Sequence, residues 1–220
     1  MKTVGVVLSG CGFLDGAEIY ESVLTLLFLD RAGVAYQCLA PDIPQMHVVN
    51  HATKQPTGET RNVLTEAARI ARGNIASLND SWVEKLDAVI FPGGYGAAKN
   101  YCDFAVKGED CSIHPAVESF MTKVVAAGKP IGLICISPVV FARAFKGKQL
   151  HPKLTVGATS PAAAAVEHFG STHVVCPVTE HVVDRANKVV TTPAYMYDTR
   201  IADVAQGIEK LVRDVIDLMS

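Results

Sequence analysis

Cys135 is the residue of this chain that is best placed for covalent chemistry. The apolar residues 131–134 before it are typical of a buried strand, and Ser137 and Pro138 after it suit the first turn of a helix. A side chain at such a sharp corner stands at the edge of the sheet, where other α/β enzymes expose their nucleophile. Because a helix N-terminus and backbone N–H groups both stabilise a thiolate, we predict that Cys135 is a nucleophile.

Two glycine-rich turns follow other predicted strands. Gly10-x-Gly12-x-x-x-Gly16 lies between a strand and a helix, which is where a dinucleotide pyrophosphate binds. However, its spacing is one residue longer than the usual fingerprint, and Asp15 occupies the place where an anion would dock. The second turn, residues 92–100, lacks the Lys-Ser/Thr of a phosphate loop but offers backbone N–H groups at the carboxyl edge of a parallel sheet. We therefore expect no nucleotide cofactor.

The composition excludes several classes of protein. With 220 residues, 49% of them hydrophobic and 19% charged, the chain suits one globular domain that spans residues 1–220. A net charge of -2 offers no basic surface for nucleic acid or anionic lipid. No apolar run reaches the roughly 18 residues of a membrane-spanning helix, and no cleavage-site pattern follows the N-terminus. These features predict a cytoplasmic protein without nucleic acid or membrane partners.

The cysteines do not form a disulfide or metal pattern. All six are scattered without paired spacing, so free thiols are expected. The nearest approach to a metal signature is Cys111-x-x-His114, which has no second pair at a zinc-like distance. We predict no bound metal.

Short β-branched runs alternate with helical patterns along most of the chain, as in residues 3–33 and again in residues 87–145. This alternation predicts an α/β fold, doubly wound, with a mostly parallel sheet flanked by helices. Thr60 is expected to cap a helix, residues 184–187 to turn a hairpin, and the apolar positions from Ile201 to Leu218 to form a final packing helix.

Several blocks of sequence together resemble a known family. ICISP, with FPGGYG upstream, resembles the nucleophile elbow and glycine loop of the PfpI/ThiJ superfamily, which is related to class I glutamine amidotransferases and has a flavodoxin-like fold. The blocks SGCGFLDGAEIYE, TGETRNVLTEAARIARGNI, PGGYGAAKN, HVVCPV and KVVTTPAYM extend the resemblance to the ElbB (enhancing lycopene biosynthesis) family along almost the whole chain.

The resemblance implies roles for particular residues around Cys135. Glu21, on the first helix, matches the glutamate that reaches the cysteine, with Glu18 one turn earlier on the same face. A thiol and a carboxyl group in contact titrate as a coupled pair, and we expect this pair to carry one proton. The backbone N–H groups of Gly94 and Ile136 match an oxyanion hole.

Other matched positions leave their roles open. Peptidase-like members place a histidine directly after the cysteine, where this chain has Ile136, so His173 is the best remaining candidate for a base and is as well suited to a structural role. Glu18 could contact the substrate, or it could be a solvated acid in the first turn of its helix. Arg61, Asn62, Lys99 and Asn100 could orient a polar substrate, or they could cap helices and form surface pairs.

The resemblance to ElbB implies a cofactor-independent glyoxalase of the lyase type, which converts glyoxal-like 2-oxoaldehydes to 2-hydroxy acids, with deglycase activity as an extension. Two alternatives remain. Cys135 could serve a redox or carbonyl sensor without turnover, or the chain could be an amidotransferase-like enzyme linked to isoprenoid metabolism. Relatives are commonly dimers, so we expect a homodimer that acts on a small aldehyde.

Overall fold

A seven-stranded sheet forms the centre of the protein in the computed structural model, which describes residues 2–219. The described strands are β1 (Thr3–Val7), β2 (Ala35–Ala40), β3 (Val49–Asn50), β4 (Gln55–Pro56), β5 (Ile75–Ser77), β6 (Ala88–Phe91), β7 (Ile131–Ile134), β8 (Lys153–Leu154), β9 (Thr172–His173), β10 (Val182–Asp184) and β11 (Val189–Thr192). In the main sheet the order is β10-β11-β7-β6-β1-β2-β5, and every pair is parallel except β10 with β11. The α/β, mostly parallel fold expected from the sequence is confirmed.

Helices cover both faces of this sheet. They are α1 (Ile19–Arg31), α2 (Val63–Ile70), α3 (Phe104–Lys107), α4 (Pro115–Ala126), α5 (Ser137–Ala144), α6 (Pro161–His168) and α7 (Ile201–Asp217), with single helical turns at Asp80–Glu84, Ala97–Tyr101, Gly108–Asp110 and Ala194–Met196. Successive strand residues point to opposite faces, so Val6 belongs to the core cluster that contains residues of α1 and α7, while Val7 belongs to the cluster that contains residues of α4 and α5. Strands buried on both sides explain the continuous apolar runs of the sequence.

Two local predictions have different outcomes. The hairpin around residues 184–187 is confirmed, because β10 and β11 are antiparallel and Asp184 Oδ1 accepts a hydrogen bond from the Asn187 N–H at 3.1 Å. Thr60 does not cap α2; Asn62 does, since its Oδ1 accepts from the Thr65 N–H at 3.0 Å. No helix of residues 2–219 is long and apolar enough to cross a bilayer.

Candidate active site

Cys135 stands at the corner between β7 and α5. Its backbone has φ of 63°, in the left-handed region that few residues other than glycine adopt. The Cys135 N–H donates to the Thr192 carbonyl at 3.0 Å, and the Ser137 hydroxyl donates to the Pro92 carbonyl at 2.9 Å. These two bonds tie the corner to both neighbouring strands and hold the thiol at the carboxyl edge of the sheet.

Two backbone donors converge on the sulfur of Cys135. They are the N–H groups of Gly94, in the glycine-rich turn after β6, and of Ile136, the residue that caps α5. Gly94 has φ of 91°, so a residue with a side chain would be strained in this position. These are the two groups that the family resemblance names for an oxyanion, and their role in catalysis stays a prediction.

The carboxyl group of Glu21 is completely buried beside the same thiol. Glu21 Oε2 accepts from the Gly93 N–H at 2.8 Å, Oε1 accepts from the Tyr195 N–H at 3.3 Å, and the carboxyl group is hydrogen-bonded to Cys135. No ion pair of Glu21 occurs within residues 2–219. Burial, with a smaller contribution from the charge of Glu18, therefore raises the pKa of Glu21 to about 8.

The thiol of Cys135 is protonated for the same reason. Burial raises its pKa well above the ordinary value, and the adjacent Glu21 raises it further, while the N–H groups of Gly94 and Ile136 act in the opposite direction. Two buried acids in contact do not both ionise near neutral pH. The sequence-based expectation was a pair with one proton, whereas the environment found here favours a pair that keeps both protons until the pH approaches 8.

Close packing of backbone explains the glycines around this pair. The two glycine-rich turns are in direct contact, with the Gly96 N–H donating to the Gly16 carbonyl at 2.8 Å. A Cβ on Gly96 would lie 2.4 Å from the Gly16 carbonyl carbon, and one on Gly93 would lie 2.4 Å from Cys135 Cβ. The glycines therefore let the two turns and the thiol pack in direct contact, and backbone atoms fill the space between the two turns.

A cavity of about 430 Å³ opens above the thiol. Its described walls are mainly aromatic and aliphatic, formed by Phe13, Tyr95, Ala98, Phe104, Ala105, Ile136, Pro161, Ala162, Tyr195 and Met196. Cys135 and Glu18 are its titratable groups apart from the two tyrosines. Glu18 also caps α1, because its Oε2 accepts from the Glu21 N–H at 2.7 Å, and burial raises its pKa. The site can therefore hold a small, weakly polar molecule against the sulfur.

His173 is not part of this cavity. Its Nε2 accepts from the Val156 N–H at 3.4 Å on the small β8–β9 sheet, and burial lowers its pKa. No histidine is among the residues found to line the cavity in the described chain. Within that region, the acid–base group in contact with the thiol is Glu21.

The four other polar candidates connect segments of the fold. Arg61 forms ion pairs with Glu59 at 2.7 Å and Glu66 at 3.3 Å, and Asn62 caps α2. Lys99 and Asn100 line a second cleft instead of the cavity above Cys135.

The side chains of Lys99 and Asn100 both donate hydrogen bonds to backbone carbonyl groups. Lys99 Nζ donates to the Leu14 carbonyl at 2.8 Å, and Asn100 Nδ2 donates to the carbonyls of Ser9 at 2.8 Å and Asp15 at 3.0 Å. They hold the turn after β1 in place. This is a structural role, the kind of role that the sequence left open as the alternative to substrate binding.

Sequence reasoning missed three contributors to the site. The N–H groups of Gly93 and Tyr195 hold the Glu21 carboxyl group, and Phe104 closes one wall of the cavity. Gly93 and Tyr195 do lie in the blocks PGGYG and TTPAYM, but a backbone donor carries no signal of its own in sequence. Nowhere in residues 2–219 do three histidine, cysteine or acidic side chains group to hold a metal.

A cysteine on a strained strand-to-helix corner of a parallel sheet, with two backbone donors on its sulfur and a glutamate from the first helix, defines the class of the protein. It has the class I glutamine amidotransferase-like fold shared with DJ-1, ThiJ and PfpI proteins.

Curated relatives narrow this class. The chain is 48% identical to human glutamine amidotransferase-like class 1 domain-containing protein 3, mitochondrial, over 98% of its own length and 82% of the relative. It is 46% identical to the rat ES1 protein homolog, mitochondrial, covering 98% of this chain and 83% of that one. The chain therefore belongs to the family of glutamine amidotransferase-like class 1 domain proteins that includes the ES1 proteins. No model in the family scan matches it.

Solved structures agree with this assignment. An isoprenoid biosynthesis protein with an amidotransferase-like domain from Ehrlichia chaffeensis superposes with a TM-score of 0.91 at 36% identity, covering 98% of this chain and 99% of that one. A DJ-1 superfamily protein from Salmonella typhimurium superposes with a TM-score of 0.54 at 22% identity, covering 100% and 86%, and shares the fold alone.

The cytoplasmic location expected from the sequence is wrong by this comparison. The human, rat and zebrafish relatives are all named as mitochondrial proteins, which points to mitochondria. The missing cleavage-site pattern and the overall composition were a weak basis for this prediction, because neither of them specifies a cellular compartment.

Proposed function

We propose that the protein is a glyoxalase-type enzyme of the ElbB kind, which converts small 2-oxoaldehydes to 2-hydroxy acids without a cofactor. The observation that supports this proposal is the buried hydrogen bond between the Glu21 carboxyl group and the Cys135 thiol. A carboxyl group whose pKa is about 8 can both accept and return a proton near neutral pH, as isomerisation of a carbon acid requires.

Addition to the aldehyde comes first. The reactive form of the pair is the one that has lost a proton, with Glu21 as the carboxylate, and its share grows as the pH approaches 8. As the sulfur of Cys135 bonds to the aldehyde carbon, its proton passes to the Glu21 carboxylate, and the carbonyl π electrons move onto oxygen. The N–H groups of Gly94 and Ile136, which point at the sulfur, can donate to that oxyanion. Transfer of the proton to the oxygen gives a hemithioacetal and returns Glu21 to its carboxylate form.

Isomerisation follows at the two adjacent carbons. The Glu21 carboxylate removes the proton from the hemithioacetal carbon, the electron pair forms a carbon–carbon double bond, and the neighbouring carbonyl oxygen becomes the oxyanion of an enediolate. The hydroxyl proton of the hemithioacetal moves to that oxygen. The proton held by Glu21 then passes to the second carbon, which leaves a thioester of the 2-hydroxy acid. Water adds to the thioester, the sulfur leaves and recovers its proton, and the acid is released. One carbon is oxidised and its neighbour reduced, so no external redox partner is needed.

The walls of the cavity support an aldehyde with an apolar substituent. Four aromatic rings, from Phe13, Tyr95, Phe104 and Tyr195, line a space of about 430 Å³, which is more than glyoxal itself requires. We expect methylglyoxal or an aryl glyoxal to give a lower KM than glyoxal.

The test is production of hydroxy acid from glyoxal, methylglyoxal and phenylglyoxal, measured by chromatography. Cys135→Ala should abolish turnover, and Glu21→Gln should lower kcat by about 10²- to 10⁴-fold, the usual contribution of a general acid–base group. Cys11→Ser is the matched control, because Cys11 lies in the adjacent turn and is free. Full glycolate production by Cys135→Ala would refute the proposal.

Amide hydrolysis is the second candidate, because the Ehrlichia structure and the human relative are named for amidotransferase likeness. It predicts ammonia release from glutamine in the same samples, with no hydroxy acid. Its weakness is the lack of a Cys-His pair, because no histidine lines the described cavity.

A further inference from the structure

Two cysteines outside the site already described lie side by side beneath the surface. Cys102 and Cys111 are both buried, and their thiols lie within hydrogen-bond reach of each other. The backbone brings them together, because Cys102 forms an antiparallel bridge with Ile113 and the Asp103 N–H donates to the Ser112 carbonyl at 3.2 Å. The pair closes the base of the loop formed by residues 103–110.

A cation stabilises the negative charge on one of these sulfurs. The Arg143 guanidinium donates to the Cys111 carbonyl from Nε at 2.8 Å and also hydrogen-bonds to the Cys111 sulfur. The neighbouring Cys102 thiol, followed by the charge of Arg143, lowers the pKa of Cys111 to about 7, while the pKa of Cys102 is raised well above its ordinary value. This environment favours ionisation of Cys111 while Cys102 keeps its proton, the arrangement of a reactive dithiol.

A small oxidant can approach the pair from solvent. Cys102 is one of the residues that line the second cleft, an open space of about 600 Å³ that also contains Lys99, Asn100 and His114. The other side of the same segment faces the active-site cavity, where Phe104 and Ala105 line the wall. The cleft thus reaches Cys102 without passing Cys135, and Cys111 lies directly behind Cys102.

We propose that Cys102 and Cys111 are a redox-active dithiol that hydrogen peroxide converts to an intramolecular disulfide. The Cys111 thiolate attacks one peroxide oxygen, and the O–O bond breaks. The hydroxide released takes up a proton and departs as water, and Cys111 becomes a sulfenic acid. The Cys102 sulfur then attacks the sulfenic sulfur, and the S–S bond forms as the S–O bond breaks and a second water leaves. The two thiols lose two electrons in total, and the peroxide accepts both.

Proteolysis offers a direct test, because trypsin cleaves after Lys99, Lys107 and Lys123. Cys102 and Cys111 therefore fall in separate peptides, residues 100–107 and 108–123. The folded protein is treated with hydrogen peroxide, denatured, alkylated and digested without reductant. We expect these two peptides to be joined, with a loss of two of the six free thiols that is reversed by dithiothreitol.

Variants separate the steps of the reaction. Cys102→Ser removes the resolving thiol, so a sulfenic acid on Cys111 should become trappable with dimedone. Cys111→Ser removes the attacking thiolate, so Cys102 should stay reduced. Cys38→Ser, at a buried cysteine on β2, is the matched control and should form the disulfide as the parent protein does.

Several outcomes would overturn the proposal. One is recovery of both peptides separately and fully alkylated at peroxide concentrations that oxidise Cys135. Another is a sulfinic acid on Cys111 in the parent protein without a cross-link, and a third is a cross-link to any other cysteine. This test does not depend on turnover, so its failure would leave the proposed glyoxalase activity unaffected.

Discussion

Replacement of Glu21 by glutamine should change the stability of the protein in a way that depends on pH. The carboxyl group has an ordinary pKa of 4.5 and a pKa of about 8 in the folded protein. Because the folded state holds the proton more tightly than the unfolded state, this stabilisation is fully present below pH 4.5 and is lost as the pH rises through about 8.

The size of the effect follows from this pKa difference. Each unit corresponds to about 1.36 kcal/mol, so the wild type loses about 3 kcal/mol of unfolding free energy between pH 4.5 and 7 through this group. Glutamine has the same shape and no charge to bury, but its NH₂ group must face the N–H of either Gly93 or Tyr195, at a cost of about 1 kcal/mol. We expect the variant to be slightly less stable than wild type at pH 5 and about 2 kcal/mol more stable at pH 7.

Urea unfolding followed by the fluorescence of the single tryptophan, Trp82, measures this difference between pH 5 and 8.5. Glu66→Gln is the matched control. Glu66 is also buried, but its carboxylate accepts from Arg61 at 3.3 Å and from Arg69 at 3.0 Å, so its loss should destabilise the protein across the whole range. If wild type and Glu21→Gln differ by a constant free energy from pH 5 to 8, the reasoning about the buried carboxyl group is wrong.

Four further outcomes are expected. In the glycolate assay, kcat/KM should rise with pH up to about 8, where the carboxylate of Glu21 becomes dominant, and a profile flat from pH 6 to 8 would argue against its role as base. Gly93→Ala should abolish activity, because its Cβ would lie 2.4 Å from Cys135 Cβ; full activity would show that the corner relaxes. Asn62→Ala should lower the unfolding free energy by about 1 kcal/mol through loss of the α2 cap, with kcat unchanged. Leu211→Ala, at a fully buried position of α7, should lower it by about 2–5 kcal/mol in urea unfolding, and a loss below 1 kcal/mol would contradict the packing described.

The elements of the fold were predictable where the local pattern is strong. Strand β7 is a short run of apolar residues followed directly by a helix start, and α7 has apolar residues at helical spacing over five turns. The start of α2 was misplaced by two residues, since Thr60 and Asn62 are both good caps. Which of them caps the helix depends on where the preceding chain runs, and local sequence does not contain that information.

The polar candidates show a similar limit. Arg61, Asn62, Lys99 and Asn100 have side chains that suit a ligand as well as a neighbouring carbonyl or carboxylate. Residue type specifies what such a group can bind, but only its distance from the cavity decides what it does bind.

The sequence by itself determines a parallel α/β sheet and a cysteine at a strand-to-helix corner, because both follow from apolar runs and from residues adjacent in the chain. Tertiary structure alone decides that Glu21 is buried with a pKa of about 8, and that Cys102 and Cys111 meet beside Arg143. Burial and electrostatic contact depend on atoms that are distant in sequence, so the chemistry of these groups is determined only when the chain has folded.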